Sequence, residues 1–150
     1  MPFSDSYANQ ILNWALGKGS LTNMSQVWIG LCTNDPEANN GTFNELSGKG
    51  YARVLISQYN ETYPNFISSA TNRQIQNTYQ INWTKATADW ERVKGFGLFT
   101  SSSGTAAPFF YGKLDLNAED EANGGILCVA GAVMLFDPQT LKISFPKTDV

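Results

Sequence analysis

Between Ile75 and Thr100 the chain reads IQNTYQINWTKATADWERVKGFGLFT, and this stretch restricts the fold more than any other. Ile75, Tyr79, Ile81 and Trp83 recur at even spacing, which in an extended chain puts them on one face of a pleated sheet. Thr78, Gln80 and Asn82 take the other face. The pattern predicts a strand over Gln74–Trp83. After a short loop ending on Trp90, Val93, Phe96, Leu98 and Phe99 supply apolar mass to a second strand, Arg92–Thr100, and the two strands are expected to form a hairpin. Gly95 and Gly97 fall where another backbone can approach closely or a bulge can form. Nothing in the stretch looks like chemistry.

The rest of the chain repeats the theme of short strands and turn signals. A helix is expected at about residues 4–16, capped by Ser4 or Asp5 and ended by Gly17 and Gly19. Tyr7, Ile11, Leu12 and Leu16 recur at helical spacing, with Trp14 to one side, and this apolar content is expected to pack on the body of the fold. Strands are expected at Val27–Cys32, Tyr51–Tyr59 and about Pro108–Leu116, in the long apolar run Ile126–Phe136, and around Leu141, Ile143 and Phe145. Asp35-Pro36, Asn40-Gly41 and Asp137-Pro138 are turn signals. About seven strands with turns between them predict a mainly β fold: an antiparallel β-sandwich, Ig-like or jelly-roll-like, with one N-terminal helix. The length of 150 residues fits one domain over residues 1–150, large enough to build its own core.

Composition removes several functions. Only 15% of residues are charged and the net charge is −3, so there is no basic footprint for nucleic acid. No run of about 20 apolar residues is present for a membrane span. The first residues lack the basic and long apolar regions of a signal peptide, so the protein is expected to be made in a cytoplasm and kept there until release. Cys32 and Cys128, in apolar strand-like surroundings, are expected to be buried free thiols. Histidine is absent, which excludes Ser-His-Asp and Cys-His catalysis and the commonest metal ligand and general base. No cofactor is expected, and two cysteines without histidine cannot form a self-contained zinc site.

Three constellations call for weighing. Asp89 and Glu91 flank Trp90, as a glycosidase acid beside an indole would, although solvated carboxylates are ordinary in a polar loop. The acidic loop Asn117–Gly125, with Asp115 before it, carries alternating oxygen ligands but lacks the glycine and the final glutamate of a calcium loop; a solvated turn is the expectation. Tyr59, Tyr63 and Phe66 sit in and beside a polar connection, Asn60–Arg73. Two readings of them stand: packing over an open end of the sandwich, or a contact patch for a sugar or another subunit.

The order of pieces resembles a family of small bacteriophage virion structural proteins, of the tail-fibre-like, minor tail or decoration kind. The resemblance rests on ILNWALG at Ile11–Gly17, VWIGLCTNDP at Val27–Pro36, GKGYARV at Gly48–Val54 and the run from Ile81 to Phe99. In that run Ala86-Thr87-Ala88, Trp90, Val93, Gly95, Gly97 and Phe99 carry the pattern. It covers about the first two-thirds of the chain. It implies a β-rich virion component assembled in the host cytoplasm, a homo-oligomer with other virion proteins as partners, and no catalytic residues. A tail-fibre or baseplate part is the leading reading. A capsid decoration protein and a carbohydrate-binding module, using Tyr59, Tyr63, Trp90 and nearby carboxylates against a host-surface glycan, are the alternatives.

Overall fold

The structure is a computed structural model, which describes residues 3–21, 24, 26–56 and 66–144. Among them the chain forms helix α1 (Asp5–Ala15), strands β1 (Trp28–Cys32), β2 (Val54–Leu55), β3 (Gln74–Gln76), β4 (Ile81–Asn82), β5 (Gly95–Phe99) and β6 (Phe110–Lys113). A short helix α2 (Ala118–Ala122) and strands β7 (Leu135–Phe136) and β8 (Lys142–Ser144) follow. Every strand pairing is antiparallel. The pairings give one four-stranded sheet, β2-β1-β5-β6, and two ribbons, β3-β8 and β4-β7. The β-rich, antiparallel class agrees with the sequence, but these pairings identify neither an Ig-like nor a jelly-roll sandwich, and no sheet closes.

Strand β5 lies inside the sheet, between β1 and β6, and all five of its residues are buried. Its register with β1 runs unbroken from Trp28↔Phe99 to Cys32↔Gly95, so the two glycines make no bulge. They serve close approach instead. A Cβ on Gly95 would stand 2.6 Å from Pro36, and one on Gly97 would stand 2.8 Å from Phe43. The segment after β1 therefore lies flat against this face of the sheet, anchored by buried Pro36 and Leu46, with only its tip around Glu37–Asn40 fully exposed. The opposite face supplies Ile29, Leu31, Phe96, Leu98 and Phe110 to the core, together with Ile81, Trp83, Trp90, Val93, Cys128 and Met134. Both cysteines are buried and free.

The expected hairpin between Gln74–Trp83 and Arg92–Thr100 does not form. The first strand is broken, with Ile75 paired to Ile143 and Ile81 paired to Phe136. Asn77 causes the break. Wholly buried, it donates through Nδ2 to the carbonyls of Tyr79 (2.7 Å) and Asp137 (3.0 Å) and accepts from the Leu141 N–H at 2.9 Å. Its amide thus satisfies backbone groups that the turn from β3 to β4 would otherwise leave unpaired.

The apolar run Ile126–Phe136 is the partner that the sequence misassigned. It follows residues 81–93 antiparallel: Trp83, Ala86, Trp90 and Val93 donate in turn to the carbonyls of Met134, Ala132, Cys128 and Ile126, at 2.9–3.0 Å. Cys128 and Met134 point inward, whereas Leu127, Val129, Val133 and Leu135 are exposed.

Two further expectations need correcting. Residues 117–125, read as a loop, contain α2, because the Asn117 side chain accepts from the Asp120 N–H at 2.8 Å. Glu119, Asp120 and Glu121 then occupy the first turn, where the helix dipole favours negative charge. Helix α1 starts as expected, with Ser4 accepting from the Tyr7 N–H, but none of its residues is buried. Only its beginning is held: Ser4 donates to the Phe109 carbonyl at 2.9 Å, and the rings of Phe3 and Tyr7 meet those of Phe110 and Phe109 at 5.2 and 5.1 Å. Leu12, Trp14 and Leu16 remain exposed.

Candidate functional site

The segments GKGYARV and TKATADWERV, distant in sequence, meet in space. Trp90 donates its indole N–H to the Lys49 carbonyl at 2.9 Å, and the Thr87 N–H donates to the same oxygen at 3.0 Å. The Thr84 hydroxyl donates to the Gly50 carbonyl. Gly50 has φ +80° and a Cβ there would lie 2.7 Å from the Lys85 carbonyl, so only glycine fits the junction. The Tyr51 ring meets the Trp90 ring edge-on, at 5.6 Å and 87°.

One layer deeper lies a buried ion pair. Arg53 donates from Nε to Glu45 Oε1 and from Nη2 to Glu45 Oε2, both at 2.7 Å. Its guanidinium also reaches the carbonyls of Ser101 and Gly104 and lies 3.5 Å over the centre of the Phe99 ring. Tyr51 donates its hydroxyl to Glu45 Oε1 and accepts from the Leu31 N–H, each at 2.9 Å. Burial pushes the Tyr51 hydroxyl well above its ordinary value. The network fastens the segment before Glu45, the sheet at Leu31 and the 101–104 turn to one another. A Cβ on Gly30 would strike Glu45, Tyr51 and Phe99 together, each at 2.9 Å, so β1 must carry glycine there.

The candidate residues from sequence fare differently. Trp90 is 3% exposed with its N–H already bonded, so it offers no ring face to a sugar. Asp89 accepts from the Ala130 N–H at 2.8 Å and so holds the turn in the 126–136 run. Glu91 borders a crevice of about 60 Å³ formed with Glu45, Ser47, Lys49, Tyr51 and Trp90. That space suits a water or two and falls far short of a small-molecule pocket. Phe66 is buried in the core, its ring 5.7 Å from that of Tyr79. Tyr59 and Tyr63 lie outside the described residues. In the acidic segment Glu121 pairs with Lys113 at 3.2 Å, and no cluster of three metal-capable side chains occurs among the described residues.

Sequence reasoning missed the Glu45–Arg53–Tyr51 network. Its signal was an arginine alternating with apolar residues in Tyr51-Ala52-Arg53-Val54, a charge at a position that a sheet would bury. It also missed the two exposed apolar surfaces, the end of α1 and the outward face of the 126–136 run.

An antiparallel β fold whose shared motifs are spent on packing and on a buried ion pair is that of a structural protein. A family model described as Podophage GP4 fiber I protein gp80 matches residues 2–135. The chain therefore belongs to this family of phage fibre proteins and is a virion component of that structural kind. The match runs well past the first two-thirds of the chain and takes in the acidic segment and nearly all of the 126–136 run. No curated protein matches it.

Proposed function

We propose that the protein is a noncatalytic part of the tail-fibre or baseplate region of a phage or prophage virion. It acts as a single domain that assembles with copies of itself and other virion proteins and displays polar loops at the particle surface. It is made in the host cytoplasm and incorporated there. The observation that carries this reading is the family match over residues 2–135. The internal use of Asp89 and Trp90 supports it, because the residues that a glycosidase or sugar-binding module would need are spent on holding the fold. Tyr59 and Tyr63 are proposed as contact residues for a neighbouring subunit or a host glycan.

Mass spectrometry of purified particles, with immunogold labelling of the protein on them, tests the proposal. Label along the fibres or at the baseplate is the expected result. Label spread over the head would transfer the protein to the decoration class, and absence from particles would end the virion reading.

A further inference from the structure

We propose that the exposed end of α1 in one copy of this chain docks reciprocally on the outward face of residues 127–135 in a second copy. The inference rests on the fibre-protein reading only for its expectation of self-association; the surfaces come from the structure.

An isolated helix of fewer than about 12–15 residues is marginal in water. Helix α1 has 11 residues, none buried, and no basic residue in its last turn. Leu12, Trp14 and Leu16 are each 54–76% exposed. Such a helix gains stability by burying its apolar side chains against something else.

The run 126–136 has the complementary problem. Leu127, Val129, Val133 and Leu135 are each 44–47% exposed. Among the described residues, the backbone groups of Leu127 and Val133 pair with no further strand. An apolar strand edge left open in this way invites aggregation, and covering it with a helix is one of the ways proteins protect it.

Area selects the occupant. At roughly 150–200 Å² for each large side chain, either patch presents about 300 Å², well below the roughly 800 Å² per partner of a stable interface. Two copies joined only through their helices would bury about 600 Å² in total, the range of adventitious contacts. Reciprocal docking of helix on edge uses both patches of both copies and buries about 1,200 Å², where specific interfaces begin. It also leaves neither apolar surface in water.

The test combines sedimentation velocity on the full chain with inter-copy cross-linking. The unmodified protein is expected to self-associate. Trp14→Ser, or the paired changes Val129→Thr and Val133→Thr, is expected to weaken association about thirtyfold or more, as loss of a central anchor does. These side chains are exposed in the single chain, so near-ultraviolet circular dichroism should show the fold intact. On mild oxidation, a mixture of Leu16→Cys and Val133→Cys copies should yield mixed disulfide-linked pairs. A monomer at all concentrations, or links only between identical variants, would overturn the proposal. Particle labelling separates the two readings: a monomer found in fibres sinks this interface alone, and a helix-on-edge oligomer absent from particles sinks the virion role alone.

Discussion

Changing Glu45→Gln keeps the size of the side chain and one acceptor oxygen but removes the charge that faces Arg53. The Arg53 side chain is 2% exposed and Glu45 is 23% exposed, so solvent screens the pair little. Removing one partner of a buried pair costs about 3–5 kcal/mol, because the other charge stays desolvated. The bonds from Arg53 to the Ser101 and Gly104 carbonyls survive, and glutamine still accepts one hydrogen bond, which places the loss near 3 kcal/mol. For a chain of this length about 1 kcal/mol moves the melting temperature by roughly 2–4 °C, so a fall of about 6–12 °C is expected. Differential scanning calorimetry reads it. Arg53→Met alone leaves Glu45 with only Tyr51 as a side-chain donor, whereas the double variant leaves no buried charge to strand. The double variant should therefore lose clearly less than the two single losses added. A Glu45→Gln fall below about 2 °C, or strict additivity, would refute the view that this ion pair fastens the segment to the sheet.

Other outcomes follow from the same contacts. Asn77→Leu removes three side-chain hydrogen bonds and should cost about 3 kcal/mol, with hydrogen exchange showing early loss of protection at the Leu141 amide. Trp90→Phe should destabilise by about 1 kcal/mol more than Trp83→Phe in denaturant titrations, since the Trp90 indole is bonded to Lys49 whereas the buried Trp83 N–H has no partner. Burial pushes the Cys32 thiol from its ordinary 9.0 up to about 12, so alkylation followed by mass spectrometry should find Cys32 protected near neutral pH and reactive after unfolding. Because the folded value is the higher, the neutral thiol's contribution to stability is complete below pH 9 and is lost as pH rises toward 12. Melting temperatures should fall across that window.

How much of this was legible in the sequence depended on whether the determinant was local. Alternation and turn residues placed β1, β5, β6 and β8, and Ser4 located the start of α1, because strand period and capping are properties of neighbouring residues. Pairing was another matter. Gln74–Trp83 and Arg92–Thr100 look like a hairpin, yet the buried amide of Asn77 divides the first, and its halves pair with residues some sixty positions away. No periodicity reports that a polar side chain will be buried to bond a distant turn. The glycines at 95 and 97 were recognisable as sites of close approach, but the loop that approaches them was not. For the candidate site, the motifs were visible and their meeting was not. Tyr51, Arg53 and Trp90 could be marked as a pattern, and only the folded chain shows that Trp90 is closed to ligands and that Arg53 finds its counter-charge in Glu45. The helix was misread in the opposite sense: its apolar spacing is real, and the surface it would cover is not supplied by its own sheet.

The central claim is that this chain is a fibre component whose shared residues build the fold. Cryo-electron microscopy of intact particles at a resolution that traces the backbone tests it most directly. The account requires density at the fibre or baseplate that the four-stranded sheet fits, with Trp90 and Arg53 buried inside each copy. Finding the sheet on the capsid shell, or nowhere on the particle, would contradict it.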